Sequence, residues 1–347
     1  MQTTLTCKDA IETLAKGSLD DKKRYKTFNS TYSIELKNTI SLDNGIQPTF
    51  SKVADGSIIT LFDKTPFPKK DEDVVCPHFI ELKWANGCNF DCAWCYLNGT
   101  LRFRPMKKKP YLKDKKKIVS HIKNYIQQNE FPSILNSGEL SDSLLFEGTD
   151  NAISNFIIDL FKGQNKHKLL ILSKSDTVES LLKSDSQDIV IASFSINAFK
   201  VSEKWEKNAP SPRERILAAK KLHDEGYTVR MRMDPLVPIE GWKNEYKELI
   251  DFLFDNLVPE RITMGSLRGL QSTINNSKDR SWVEYLDDKS NWGKKISFEK
   301  RYEMYKFMID YLKKEHDYNS VGLCKETVKI WEKLKLDYKK IRCNCIF

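Results

Sequence analysis

Cys88, Cys92 and Cys95 sit in the run Gly87-Cys88-Asn89-Phe90-Asp91-Cys92-Ala93-Trp94-Cys95-Tyr96. Thiolates at this spacing can ligate three corners of a four-iron, four-sulfur (4Fe-4S) cluster and leave the fourth iron open. An open iron can chelate a small ligand and pass it one electron. Zinc and unreactive thiols are the competing readings. Zinc usually takes four protein ligands, often from two separated C-x-x-C pairs; here the run stands alone, and His78 lies ten residues before Cys88. A disulfide framework suits a short secreted chain, yet Met1-Gln2-Thr3-Thr4 reaches Lys8 and Asp9 without the apolar segment of a signal peptide. No apolar run is long enough to span a bilayer. The expectation is a cytoplasmic protein with no membrane partner, in which cysteines bind metal or do chemistry.

Such a loop needs a scaffold, and the sequence around it alternates between strand and helix patterns. Strands are expected at Phe79–Lys83, Ser133–Asn136, Leu169–Leu172, Ile189–Ile196, Thr228–Met233 and Arg261–Met264. Helical spacing falls between them, at Lys117–Gln128, Asn151–Lys162, Thr177–Lys183, Pro212–Glu225 and Lys243–Phe254, with Gly226 as a stop signal. Six strands alternating with helices imply a parallel sheet with right-handed crossovers. In a chain of 347 residues that fits a partial or complete (β/α) barrel. Three regions are expected: an N-terminal extension over 1–75, a barrel core over 76–267, and a C-terminal region over 268–347.

Barrels of this kind place chemistry at the C-terminal ends of their strands. The cysteine loop follows the first expected strand, and polar residues recur at the later strand ends. They are Asn136-Ser137-Gly138-Glu139, Ser173-Lys174-Ser175-Asp176, Ser195-Ile196-Asn197 and Arg230-Met231-Arg232-Met233-Asp234. Any one of them could merely cap a helix. Four in succession on one face describe a polar rim around an open iron.

From about Val74 to the C-terminus the chain resembles the spore photoproduct lyase branch of the radical S-adenosylmethionine (SAM) superfamily. The residues that carry the resemblance are the cysteine run with Tyr96-Leu97, the Ser173-Lys174 strand end and Phe194-Ser195-Ile196-Asn197. Glu203-Lys204-Trp205-Glu206, Ala209-Pro210-Ser211-Pro212-Arg213-Glu214-Arg215-Ile216, Arg232-Met233-Asp234-Pro235-Leu236-Val237-Pro238, Gly241-Trp242 and Arg261-Ile262-Thr263 extend it. The resemblance implies that SAM chelates the open iron. One electron from the reduced cluster then gives methionine and a 5′-deoxyadenosyl radical, which takes a hydrogen atom from the substrate. It also implies an external one-electron reductant of the flavodoxin or ferredoxin type. By the same analogy Lys174 pairs with the SAM carboxylate and Ser195 hydrogen-bonds SAM. Gly138 and Glu139 receive the SAM amino group, and Tyr96 meets the adenine through its backbone. Ser173, Asn197, Arg232 and Asp234 complete the candidate cofactor contacts, and Tyr96 and Glu139 are also candidates for catalytic roles. Helix capping and strand-end solvation are the plainer reading of Lys174 and Ser195.

Two features depart from the lyase pattern. The lyase returns hydrogen from a cysteine just before a Thr-Ser-Asp run, whereas the matching segment here, Glu139-Leu140-Ser141-Asp142, has none. The lyase also flanks its third cluster cysteine with two tyrosines; here the flanks are Trp94 and Tyr96. The expectation is the same radical initiation on a different nucleic-acid, nucleotide or other polar substrate. Cys324, after Val321-Gly322-Leu323, and the pair Cys343 and Cys345 are the candidate replacement thiols. They could donate hydrogen, form a reducible disulfide or hold a second metal or cluster. Cys7 and Cys76 read as unpaired, and Cys76 as structural.

The remaining features are less specific. Asp55-Gly56 before Ser57–Phe62 reads as a hairpin. Net charge is +9, and ten Lys or Arg fall between Arg102 and Lys123 against one acid, Asp114. Such a stripe could track the phosphates of DNA or RNA, or be a solvated face. Trp282, Tyr285 and Trp292 could stack on bases or pack under a lid. Phe298–Glu315 and Thr327–Leu336 read as amphipathic helices. Two other functions compete: a radical SAM modifier of a peptide or protein, and a non-catalytic cysteine-cluster module that binds nucleic acid.

Overall fold

The computed structural model describes residues 31–35, 49–62, 68–77, 79–130, 132–290, 293–340 and 342–347. Cys7, Pro66, His78 and Trp292 lie outside them.

One eight-stranded sheet organises the chain. Seven of its strands are parallel and lie side by side in sequence order: Phe79–Leu82, Ser133–Asn136, His167–Ser173, Val190–Ser195, Thr228–Leu236, Arg261–Ser266 and Val321–Leu323. The eighth, Ile59–Phe62, runs antiparallel on the edge beside Phe79–Leu82. The two edge strands are not paired with each other, so the sheet is a partial barrel, as the strand–helix rhythm predicts. The central strands are buried along their length. Val190–Ser195 shows no exposed residue, and Leu169-Leu170-Ile171-Leu172 is a continuous apolar run, as expected for parallel strands covered on both faces.

The covering helices form where the pattern puts them. Asp114 caps Lys115–Gln128 by accepting from the Lys117 amide at 2.7 Å, and Ile118, Ile122 and Tyr125 face the sheet. Pro212–Asp224 opens on a capping box in which Ser211 and Glu214 satisfy each other's backbone amides. It stops at Gly226, which has φ +87°. Trp242–Phe254 buries Tyr246, Leu249, Ile250 and Leu253, and Phe298–His316 buries Met304, Tyr305, Met308 and Leu312.

Several expectations need correction. Ile59–Phe62 does not fold back as the second arm of a hairpin; a turn at Val53–Gly56 precedes it, and it joins the main sheet instead. The preceding strand, Thr49–Val53, pairs with Thr31–Glu35. The single helix expected over Asn151–Lys162 is a short α-turn, Ile153–Phe156, followed by a 3-10 turn, Ile158–Phe161. The helices expected at Thr177–Lys183 and Thr327–Leu336 shorten to Glu179–Leu182 and Val328–Lys333. The fifth parallel strand runs on past Met233 to Leu236.

Two connections join the far ends of the chain. Val74–Val75, before the first parallel strand, pairs with Glu326–Thr327, just after the last. Residues 342–347 enter the inside of the sheet. Asn344 donates to the Ser193 hydroxyl at 2.8 Å and the Met231 carbonyl at 2.9 Å, and its amide and side chain both engage Thr263. Arg230 and Arg261 hold the carbonyls of Cys343, Asn344, Ile346 and Phe347. Phe347 packs on Ile134, Leu170 and Ile191. In a closed barrel layers of side chains fill this space; here the tail does. Gly322 permits it, because a Cβ there would collide with the Arg342 carbonyl.

Candidate functional site

The cysteine loop leaves the first parallel strand and is held from three sides. The Cys88 amide donates to the Lys108 carbonyl at 2.9 Å. Asp91–Cys92 pairs antiparallel with Glu206–Lys207, and the Ala93 amide donates to the Trp205 carbonyl at 2.8 Å. Ser277 donates to the Ala93 carbonyl at 2.6 Å. Tyr96 sends its hydroxyl to the Glu139 carbonyl, tying the loop to the end of the second parallel strand.

Cys88, Cys92 and Cys95 line a cavity of about 280 Å³. Its wall also carries Tyr96, Gly138, Glu139, Ser173, Lys174 and Ser195. Arg232, Asp234, Cys324, Cys343 and Cys345 lie on the same wall. Residues that are distant in sequence therefore meet at the C-terminal ends of the strands. Asn197 does not join them. It is buried, and its side chain donates to the Pro235 carbonyl at 2.8 Å and accepts from Tyr246 at 2.9 Å, so it braces a strand end.

Lys174 reaches the cavity in the grip of a buried carboxylate. Its Nζ lies 3.0 Å from Glu206 Oε1, and Arg215 Nη1 lies 2.7 Å from Oε2. Glu206 and Arg215 are fully buried. Burial by itself would raise the Glu206 pKa, but Lys174 and Arg215 outweigh it and hold the carboxyl at about 2. Arg215 also donates to the Ser195 carbonyl at 3.0 Å, fixing the fourth strand end. Asp142 accepts from the Ser173 hydroxyl at 2.6 Å and the Lys174 amide at 2.8 Å, which fixes the third. Gly138 packs so closely that a Cβ would stand 2.5 Å from Leu172 Cβ. Gly138→Ala is expected to cost about 1–3 kcal/mol and to weaken SAM binding. Thermal unfolding and a SAM titration check it; native values for both would show that the strand end gives way.

The other side of the wall is charged and sulfur-rich. Asp234 is clamped by Arg268 at 2.9 and 2.8 Å and by Arg232 at 3.0 Å. Burial raises its pKa, but the two guanidinium groups hold the carboxyl well below the usual range. The same arginines approach Cys324 Sγ, at 3.3 Å from Arg232 and 3.5 Å from Arg268. Burial nevertheless pushes the Cys324 thiol up to about 11. Cys345, in contact with Cys343 and half-buried, is pushed well up too. Burial likewise raises Glu139, despite Arg232 and Asn136. Cys76, which the sequence reads as structural, is part of this wall too.

The loop's donor set suits a cluster. Among the described residues no three His, Cys, Asp or Glu side chains gather as a single metal ion requires. A cluster spreads its thiolates over separate irons. Burial pushes the Cys92 thiol up to about 12 and raises Cys88 as well. Iron would take the place of those protons.

Glu206, Arg215, Arg268 and the role of Asp142 escape the sequence reading. Glu206 and Arg215 lie within the motif blocks, so the signal was present without a function attached. Trp282 is buried in the core, with Gly269 against its ring, and Tyr285 packs on Trp205 at 6.0 Å between ring centres. The packing reading holds for both. No helix among the described residues is long and apolar enough to cross a membrane.

An open parallel sheet curled into a partial barrel, with a C-x-x-x-C-x-x-C loop after its first parallel strand, is the architecture of the radical SAM superfamily. The spore photoproduct lyase family model matches residues 78–325. The chain belongs to that family. It is 26% identical over 181 residues to the spore photoproduct lyase of Clostridium acetobutylicum, an alignment covering 51% of this chain and 52% of the relative. It is 27% identical over 188 residues to that of Bacillus subtilis, covering 52% of each. The chain thus spans about half the length of these curated relatives. Its fold matches a mutant spore photoproduct lyase solved with bound AdoMet and dinucleoside spore photoproduct. That match has a TM-score of 0.60 at 20% identity and covers 71% of this chain and 76% of the other.

Proposed function

We propose that this protein is a radical SAM enzyme, with a 4Fe-4S cluster on Cys88, Cys92 and Cys95 and SAM in the adjoining cavity. One observation carries the reading: the three-cysteine loop and the polar ends of four parallel strands line the same cavity. Bound there, cluster and SAM would supply a one-electron C–S cleavage that yields methionine and a 5′-deoxyadenosyl radical able to abstract hydrogen from a substrate. The chain's own residues bind and orient. Lys174, aimed by Glu206, meets the SAM carboxylate; Ser195 and the Gly138–Glu139 strand end hold its polar groups. Arg232, Asp234 and Arg268 form a fixed charged wall for the substrate.

The substrate is a nucleic acid, nucleotide or other polar molecule, and not the photoproduct that gives the family its name. Supporting this, Glu139-Leu140-Ser141-Asp142 carries no thiol, and Asp142 is committed to Ser173 and Lys174. The thiols outside the loop that line the cavity are Cys76, Cys324, Cys343 and Cys345, and the last three are the candidate donors. Burial raises the Cys324 thiol, and contact with Cys343 together with burial raises that of Cys345, so both stand as S–H at neutral pH, the form a hydrogen donor needs. The test is anaerobic reconstitution with iron and sulfide, then dithionite and SAM. About four irons per chain and 5′-deoxyadenosine are expected, and the double variant C343S/C345S should retain both. About eight irons would put a second cluster on the tail and displace the donor role. Bound zinc without 5′-deoxyadenosine would overturn the enzyme reading.

A further inference from the structure

The Leu101–Leu112 segment belongs to no part of the cavity; residues 98–137 contribute nothing to its wall. It nevertheless packs directly on the back of the cysteine loop. Its Lys108 carbonyl accepts from the Cys88 amide at 2.9 Å. The Lys108 ammonium lies 3.5 Å from Asp91. Tyr111–Leu112 pairs with Ala85–Asn86, and a Cβ on Gly87 would stand 2.5 Å from the carbonyls of Lys108 and Lys109. No residue separates this segment from the one that carries the first cysteine.

Its outer surface is unusual. Among the described residues, five large hydrophobic side chains are exposed, and three of them, Phe103 (83%), Met106 (49%) and Tyr111 (51%), are here. Arg102 stacks over Phe103 at 4.0 Å and Arg104 lies 5.9 Å from the Tyr111 ring centre. Arg102, Lys107 and Lys109 are exposed around them. A solvated lysine loop has no need of exposed Phe, Met and Tyr together. Aromatic residues, Met and Arg with a rim of one charge are the composition of a protein-binding surface, and exposed apolar patches mark such sites.

We propose that this patch docks a small acidic one-electron carrier protein of the flavodoxin or ferredoxin class. The inference rests on the reading of Cys88, Cys92 and Cys95 as cluster ligands. Position decides between partners. A substrate must reach the cavity, and this patch lies outside its wall. A carrier needs only a short path to the cluster, and this patch is hydrogen-bonded to the loop that would hold it. One electron leaves the reduced carrier, which is oxidised by one electron, and enters the cluster; no bond is made or broken. The basic rim speeds and orients the encounter, so docking should weaken with salt.

The experiment titrates the full chain with an acidic flavodoxin and compares it with the triple variant Arg102→Glu, Lys107→Glu, Lys109→Glu and with Phe103→Ala. The triple variant is expected to raise Kd roughly tenfold or more, and Phe103→Ala to raise it with less effect on the salt dependence. Flavodoxin-driven cluster reduction should slow in parallel, while reduction by dithionite, which needs no docking site, stays at the wild-type rate. Unchanged Kd in the triple variant, or no binding by the wild type, would overturn the proposal. So would a variant that keeps flavodoxin affinity but loses affinity for a single-stranded oligonucleotide; the patch would then be a nucleic-acid surface. Absence of iron and of dithionite-driven 5′-deoxyadenosine in the wild type would instead sink the cluster reading, and the flavodoxin titration is read independently of it.

Discussion

Replacing Cys92 with Ala is expected to abolish the brown iron–sulfur absorption and the release of 5′-deoxyadenosine from SAM together, in a protein that still folds. The substitution removes one sulfur from a short strand, Asp91–Cys92, whose backbone remains paired with Glu206–Lys207. The folding cost is therefore small, about 1 kcal/mol. The chemical cost is total, because the described residues offer no other cysteine in the loop to replace the lost corner. The check is anaerobic reconstitution followed by iron analysis, a visible spectrum and a SAM cleavage assay, with circular dichroism as the folding control. If chromophore and cleavage both survive in Cys92→Ala, the cluster does not sit on this loop. If the chromophore is lost but cleavage persists, SAM turnover has another origin.

Much of this site is legible in the sequence because its signals are local. The cysteine spacing is contained within eight residues. Each polar strand end follows an apolar run that announces its strand, and parallel connectivity then forces all of those ends to one face. The last parallel strand, Val321–Leu323, ends at Cys324 as its short apolar run suggests. What stays hidden depends on tertiary contact. Glu206 sits in a charged stretch, Glu203-Lys204-Trp205-Glu206-Lys207, that reads as surface, and nothing local says that Lys174, 32 residues earlier, and Arg215 will bury it. Asn344 shows no periodicity at all; it enters the sheet because Ser193, Met231 and Thr263 offer partners inside it. The place of the edge strand Ile59–Phe62 beside Phe79–Leu82 is hidden for a related reason. A turn signal says that the chain reverses, and not which strand it will meet. The same limit explains Asn197, whose position at a strand end suggests a cofactor contact while its neighbours Tyr246 and Pro235 have already engaged it.

The buried Lys174–Glu206–Arg215 group carries the second large effect. Arg215→Met should destabilise the protein by about 3–5 kcal/mol, the usual consequence of breaking one side of a buried ion pair. It strips Glu206 of one partner and also releases the Ser195 and Pro210 carbonyls that Arg215 holds. A pH signature separates this from simple loss of packing. The folded Glu206 carboxyl titrates at about 2 against an ordinary 4.5, because Lys174 and Arg215 overcome the effect of burial. Between those two values the unfolded chain binds the proton more readily than the folded one, so stability falls as pH falls. This contribution is fully present above about pH 4.5 and is lost on the way down to about 2. Without Arg215 the folded pKa rises toward the unfolded value and that pH window narrows. Urea unfolding of wild type and Arg215→Met across pH 3–6 should therefore show the difference between them shrinking as the medium is acidified. A gap that is constant with pH would mean that Arg215 stabilises by packing alone. In that case Lys174, 3.0 Å from the carboxylate, would be the group that holds Glu206 ionised.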